Sequence, residues 1–129
     1  MIKNNSGFTL IELILVIAIL GILAVAVAPT FVNIQANAQT AQANGVAGAV
    51  RDGINMQFAQ ALANTGVGAF PTIAELGGVA GACAPANPCF GGVLQSAIET
   101  GWTVTVAGTY VHDATGLTFV YTPVDGKFE

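Results

Sequence analysis

The chain has 129 residues, which suits one small domain, and 53% of them are hydrophobic whereas 8% are charged. Three basic side chains stand against seven acidic ones, for a formal net charge of −4. Because binding to nucleic acid requires clustered Lys and Arg, this balance argues against a nucleic-acid partner.

Residues 8–28 form a long apolar segment that only Thr9, Glu12 and Gly21 interrupt. A helix of about 20 apolar residues spans the hydrocarbon core of a bilayer, so we expect this segment to cross a membrane once. Lys3 is the only charge before it, which predicts a cytoplasmic N-terminus and an exported remainder. A carboxylate near the centre of a membrane helix costs about 2.5–3.5 kcal/mol. The cost is lower near the helix end, but Glu12 still needs a partner.

The residues Gly7-Phe8-Thr9-Leu10-Ile11-Glu12 resemble the processing site of type IV pilins and pseudopilins. That family has a short basic leader, a glycine, a phenylalanine and, four residues later, a glutamate. Lys3, Gly7, Phe8 and Glu12 fill these places, and the resemblance extends to about Pro29. It implies that a prepilin peptidase removes the leader 1–7 by cutting after Gly7 and then N-methylates Phe8.

The same resemblance implies a role in assembly for the new N-terminus. Cutting before Phe8 creates a cationic amine, and Glu12 of a neighbouring subunit or of the same chain would be its counter-charge. The implied partners are identical or homologous pilin subunits, the prepilin peptidase and the inner-membrane assembly machinery. The subunit would rest in the inner membrane and then enter an extracellular pilus, or the periplasmic pseudopilus of a type II secretion system.

Other interpretations of this N-terminal region remain open at the level of sequence. A secretory signal peptide cut after Ala24-Val25-Ala26 or Ala26-Val27-Ala28 would release a secreted binding domain. The apolar run is longer than the 7–15 residues of a signal-peptide core, and it contains a glutamate. A membrane-anchored binding domain that never polymerises is the third possibility, in which Glu12 would be an interfacial carboxylate that reaches water.

Gly21 and Pro29 are the weak points of the predicted N-terminal helix. Pro29 cannot donate a hydrogen bond to the carbonyl of Val25, and Gly21 disfavours helix by about 1 kcal/mol relative to Ala. One interpretation is a simple kink. The other, implied by the resemblance, is that the segment between Gly21 and Pro29 loses helicity during assembly.

Residues 29–65 are predicted to continue the helix with an amphipathic pattern. Apolar residues recur on one stripe, which we predict to face the core: Phe31, Ile34, Ala38, Ala41, Val46, Val50, Ile54, Phe58 and Leu62. Gly45, Gly48 and Gly53 disfavour helix, so we expect them to mark the close approach of another backbone. The sequence Asn64-Thr65-Gly66 predicts the end of the helix, with Gly66 in a left-handed conformation.

Residues 66–129 are predicted to form a globular head. Its loop 66–92 includes one helical turn at Thr72–Leu76, in which Thr72 caps the turn and Glu75 completes a capping box. Cys83 and Cys89 predict a disulfide, because two cysteines in an exported chain pair readily.

Alternating residues predict antiparallel strands in the last part of the chain. We expect strands at 102–106, 109–112 and 117–122, with Lys127-Phe128-Glu129 as a short final strand or tail. The segment Val93–Ile98 fits either a helical turn or a strand, and we favour a short helix. Trp102, Val104 and Val106 should share one face, as should Leu117, Phe119 and Tyr121. The fold class is therefore α+β: a long N-terminal α-helix, with a membrane-spanning first half, packed through its second half against a small antiparallel β-sheet.

Residues that carry catalytic chemistry are scarce and scattered. His112 is the only histidine, and neither Ser6 nor Ser96 lies in a nucleophile elbow. Asp113 and Asp125 fall in predicted turns and are too few for a calcium loop. We therefore expect no enzyme activity, no cofactor and no metal, and we interpret His112 as an exposed or hydrogen-bonded surface residue.

Overall fold

The structure is a computed structural model that describes residues 7–77 and 79–129, so Lys3 and the rest of the leader up to Ser6 lie outside the described residues. The elements are two helices, α1 (Leu10–Thr65) and α2 (Ile73–Leu76), and five strands: β1 (Gly81–Ala82), β2 (Trp102–Val106), β3 (Thr109–His112), β4 (Thr118–Thr122) and β5 (Lys127–Phe128). The strands pair antiparallel in the order β1-β2-β3-β4-β5. The predicted α+β class is confirmed.

The chain divides into two compact units, one up to Asn37 and one from Ala38 onwards. The first unit consists mainly of the beginning of α1. This helix includes Gly21 and Pro29 without a break in its helical assignment. The proposed bending or melting at these two residues stays a prediction.

The second unit packs α1 against the sheet through a stripe of small and branched residues. Ala43, Ala47, Val50 and Ile54 are fully buried, which confirms the predicted core face at Val50 and Ile54. Leu62, however, is 49% exposed, so its predicted place in the core is wrong. A helix turns about 100° per residue, so each step of four residues moves the side chain roughly 40° around the axis and the stripe rotates away from the core.

The upstream part of the same predicted stripe is also exposed. Phe31 is 65% and Ile34 is 57% exposed, and Ala38 and Ala41 are likewise exposed. Both pairs therefore contradict the prediction of a core face within this chain. The buried stripe begins only at Ala43, because the residues that cover it belong to the head.

Through most of the sheet, buried and less buried side chains alternate along each strand, because successive side chains point to opposite faces. The buried side chains are Trp102, Val104, Tyr110, His112, Phe119, Tyr121 and Phe128. Val106 was predicted to share a face with Trp102 and Val104, which are buried, but it is 62% exposed, because the pairing of β2 with β3 shifts between Val104 and Val106. Leu117 lies just before β4 and is half-buried.

The segment between α1 and β2 contains two confirmed predictions and one wrong one. Gly66 follows α1 with φ 73°, and Thr72 and Glu75 form the predicted capping box on α2. The predicted helix at Val93–Ile98 is wrong. The Phe90 carbonyl accepts a hydrogen bond from Leu94 N–H at 2.9 Å, which closes a single turn, and Ile98 then exchanges two backbone hydrogen bonds with Cys89. This pairing with Cys89 prevents the turn from continuing as a helix.

His112 is buried, so its predicted surface position is wrong. Only 3% of the residue is exposed, its Nδ1 lies 2.9 Å from Thr115 Oγ1, and its ring contacts that of Trp102 with centroids 5.2 Å apart. The hydrogen bond satisfies a buried polar group, as burial demands. The residue therefore belongs to the aromatic core of the head.

Candidate functional site

The N-terminus of α1 is organised by a hydrogen-bonded pair, Thr9 and Glu12. Glu12 Oε2 accepts hydrogen bonds from the backbone N–H and the hydroxyl of Thr9, each at 2.8 Å. Glu12 N–H donates in return to Thr9 Oγ1 at 3.4 Å. Because α1 begins at Leu10, Thr9 is its N-cap and Glu12 its third residue, which is the arrangement of a capping box.

The capping role of Thr9 was missed at the level of sequence, although its signal is visible there. The pattern Thr-x-x-Glu at Thr9–Glu12 repeats the pattern at Thr72–Glu75, where the capping box was predicted. The charge of Glu12 in an apolar segment suggested the Phe8 amine as its partner instead. The structure gives Glu12 a partner in its own chain, and among the described residues its Oε1 has no hydrogen-bond partner.

The bond between Gly7 and Phe8 lies in exposed chain before the helix. Phe8 is 89% exposed, and a Cβ added to Gly7 would meet no atom of the described residues within 4 Å. The described residues show no hydrogen bond between Phe8 and Glu12. The chain itself therefore leaves this bond accessible, and a requirement for glycine would come from whatever enzyme cuts there.

The first part of α1 exposes a long apolar surface. Its large side chains are between 46% and 77% exposed: Leu10, Ile11, Leu13, Ile14, Leu15, Val16, Ile17, Ile19, Leu20, Ile22, Leu23, Val25 and Val27. By length and composition α1 can cross a membrane, and the apolar window that meets this test is not buried within the chain. Exposed apolar surfaces of this extent mark contacts with a membrane or with other proteins.

Residues 2–28 match the family model described as the prokaryotic N-terminal methylation motif. The chain carries the prepilin-type signature of type IV pilins and pseudopilins. No curated protein and no solved structure matches the chain. The prepilin motif points to a structural subunit rather than an enzyme, and with the apolar helix it fits a membrane-anchored precursor. It also implies processing by prepilin peptidase and assembly with other pilin subunits.

The head of this prepilin-type chain contains a disulfide between Cys83 and Cys89, whose Cα atoms are 5.6 Å apart. Asn87 within the closed loop binds the preceding chain, because its amide donates to Val79 O at 3.0 Å and accepts from Val79 N–H at 2.9 Å. The side chain of Asn87 therefore stabilises the conformation of this loop in addition to the disulfide. Across residues 7–77 and 79–129, no group of three or more His, Cys, Asp or Glu side chains could hold a metal ion.

Two buried tyrosines join the sheet to the loops that precede it. Tyr110 Oη donates to Gly77 O at 2.8 Å, and Tyr121 Oη donates to Pro71 O at 2.5 Å. Burial raises the pKa of Tyr110 to about 12 and also raises the pKa of Tyr121. In α2, the Thr72 N–H and hydroxyl lower the pKa of Glu75 through the hydrogen bonds that they donate to its carboxylate. These hydrogen bonds stabilise the head.

Proposed function

We propose that this chain is the structural subunit of a type IV pilus-like filament. Prepilin peptidase would cut it after Gly7 and methylate the amine of Phe8, and the mature subunit would polymerise through the first part of α1. The observation that carries the proposal is the combination of a prepilin signature with a helix whose apolar side chains stay exposed in the single chain.

The apolar side chains of this helix are unfavourable in water. Two successive environments, first the bilayer and then the filament, would bury them. Burial of one Leu or Ile side chain stabilises a protein by about 1.5–3 kcal/mol. The bilayer would supply this burial for the precursor, and neighbouring helices would supply it in the filament. Packing of one helix against the next in a head-to-tail sense is heterologous and does not close, so it produces a helical assembly.

Within the filament, Glu12 would use its two carboxylate oxygens for different partners. Oε2 accepts from Thr9 in the isolated chain, whereas Oε1 has no hydrogen-bond partner among the described residues. The methylated amine of Phe8 on a neighbouring subunit would bind Oε1. Since both charges leave water together, their attraction offsets part of the desolvation cost of each.

The N-terminus of the mature protein tests this proposal directly. We expect mass spectrometry of protein from sheared filaments to find a chain that begins with N-methylated Phe8. A mature chain that begins at Val27 or Pro29 would instead identify a signal peptide and a secreted domain. Methylated protein that stays in the membrane fraction of cells that carry the assembly machinery, with no filaments, would contradict polymerisation.

A further inference from the structure

The two cysteines of the head are buried, although the loop between them is exposed. Cys83 is 4% and Cys89 is 0% exposed, and both belong to the hydrophobic core. Within the loop that they close, Pro85, Ala86 and Pro88 are exposed. The disulfide therefore lies at the base of this loop, on the side of the core.

One short segment of chain, residues 98–102, binds the backbone of both cysteines. Cys83 N–H donates to Trp102 O at 2.8 Å. Cys89 N–H donates to Ile98 O at 2.9 Å, and Ile98 N–H donates back to Cys89 O at 2.8 Å. Residues 98–102 follow both cysteines in the chain, as do the strands from β2 to β5. The part of the head that closes over the cysteines is therefore synthesised after them.

Formation of a disulfide requires direct contact between a cysteine sulfur and an oxidant. The thiolate of one cysteine attacks a disulfide of the oxidant, and a mixed disulfide forms while the oxidant's other sulfur leaves as a thiolate. The second cysteine then attacks the first, so that the bond between Cys83 and Cys89 forms and the oxidant leaves as a dithiol. In total the two cysteine thiols lose two protons and two electrons, and the disulfide of the oxidant gains them.

The folded head does not present either sulfur for this reaction. In the mixed disulfide the oxidant is attached to Cys83 or to Cys89, but almost no surface of either residue is exposed. Access to the sulfur limits the rate of exchange, and buried structural cysteines are unreactive. Reaction in the folded state would require residues 98–102 to move away from the cysteines, with loss of the hydrogen bonds from Ile98 and Trp102.

We infer that the Cys83–Cys89 disulfide forms in the exported chain before residues 98–102 close over the two cysteines. The substrate of the oxidation is an unfolded segment, and the oxidant is a disulfide-bearing molecule that accepts an unfolded chain. The inference rests on the proposed function in one respect, because export to an oxidising compartment brings the cysteines to this oxidant. The early bridge also restricts the unfolded chain, which favours its later folding.

A substitution in the core of the full-length chain separates oxidation from folding. The ring of Trp102 lies 5.6 Å from the rings of Phe90 and of Phe119, so Trp102→Asp places a charge among aromatic side chains and should keep the head open. We expect protease added outside the inner membrane to degrade this head, which shows that it is exported and unfolded. Thr105→Asp is the matched control, because it adds the same charge at an exposed position of the same strand.

Alkylation of thiols in freshly pulse-labelled cells then measures the bridge. We expect the cysteines of Trp102→Asp to be blocked until a reductant is added, as in the wild type and in Thr105→Asp. Free thiols in exported Trp102→Asp, beside a bridge in the other two chains, overturn the inference, because oxidation would then depend on the folded head.

Reduction of the purified full-length protein tests the same burial without any variant, so the test stays decisive if Trp102→Asp still folds. Reduction passes through a mixed disulfide at the same sulfurs. We expect dithiothreitol to reduce the native bridge at least about 100 times more slowly than the bridge of the same protein in concentrated urea. A native rate within about fivefold of the rate in urea overturns the inference, because the oxidant could then reach the cysteines in the folded head.

The outcomes separate this inference from the function on which it rests. Wild-type filaments together with free thiols in Trp102→Asp overturn the order of oxidation and folding and leave the filament proposal intact. A bridged Trp102→Asp chain in cells whose wild-type chain is exported but forms no filaments overturns the proposed filament and leaves the order intact.

Discussion

Thr9 donates two hydrogen bonds to the same oxygen of Glu12, one from its backbone N–H and one from its hydroxyl, both at 2.8 Å. The glutamate of the prepilin motif is therefore also part of a helix cap. The Glu12 carboxylate therefore has two roles. It accepts a hydrogen bond from the Thr9 N–H, which has no partner within the helix, and its negative charge is available to a cationic amine.

Substitutions at Glu12 can separate these two roles. Glu12→Gln keeps an oxygen that can accept from Thr9, since a capping box tolerates Gln, but it removes the charge. Glu12→Leu removes both. If the charge drives assembly, we expect both variants to be exported and cleaved but to form no filaments, as measured by cell fractionation beside a shearing assay.

Thr9→Ala is the complementary variant, because it removes the capping hydroxyl and keeps the Glu12 charge. Loss of an N-cap costs about 0.5–2 kcal/mol of helix stability. We expect Thr9→Ala to retain most of the filament yield. Wild-type filament yield from Glu12→Gln, together with loss of filaments from Thr9→Ala, would show that the cap matters and the charge does not.

Gly7 tests the cleavage assignment. Among the described residues, no atom lies within 4 Å of a Cβ added to Gly7, so Gly7→Val should leave the subunit itself undisturbed. We expect the variant to accumulate as full-length precursor in the membrane fraction, because a peptidase that contacts the backbone at this position has no room for a branched side chain. Immunoblotting after fractionation measures this, and maturation at the wild-type rate would contradict cleavage after Gly7.

The glycines of α1 should respond differently to replacement by alanine. A Cβ at Gly53 would clash with the carbonyl of Val93, whereas one at Gly45 would meet no atom within 4 Å. We expect Gly53→Ala to destabilise the head by about 1–3 kcal/mol through overpacking. Gly45→Ala should stabilise it by up to about 1 kcal/mol through helix propensity. Thermal unfolding of the two purified variants compares them, and equal effects would contradict the close contact at Gly53.

The two buried tyrosines predict loss of stability at high pH. Burial raises the pKa of Tyr110 to about 12, whereas an unfolded tyrosine titrates near 10. The neutral side chain is therefore favoured in the folded state, so the stabilisation is complete below about pH 10 and is lost as the pH rises towards 12.

The ionisation of the tyrosines can be measured by the absorbance of tyrosinate, and the stability at each pH by unfolding followed with circular dichroism. Tyr110→Phe should show a shallower loss of stability above about pH 10. At neutral pH it should be destabilised by about 1 kcal/mol, because Gly77 O loses its donor. Titration of both tyrosines near their ordinary pKa in the folded protein would contradict the buried environment.

The disulfide predicts a mass difference and a modest change in stability. Intact protein should be about two daltons lighter before reduction than after it, because bridging removes two thiol hydrogens. Cys83 and Cys89 are six positions apart, so the closed loop is short and its removal by a double Cys→Ala change should cost about 2 kcal/mol. Free thiols in freshly isolated protein would contradict the bridge.

Features that depend on neighbouring residues could be predicted from the sequence alone. They include the membrane-length apolar segment, the prepilin motif, the capped turn at Thr72–Glu75, the end of α1 at Thr65 and the alternation of the sheet strands. Each of these results from side chains within a few positions of one another, so the order of residues determines it. The cap at Thr9 is also local, and its Thr-x-x-Glu pattern was available in the sequence.

Features that depend on pairing between distant segments were decided only by the tertiary structure. His112 is buried because Trp102, on the paired strand β2, packs against it, and Val93–Ile98 is not helical because Ile98 pairs with Cys89. Arg51 contacts Phe128, which lies 77 positions away. Periodicity states which side of an element is apolar, but it does not state which other segment covers that side. Which segment covers it depends on the packing free energy of the whole head.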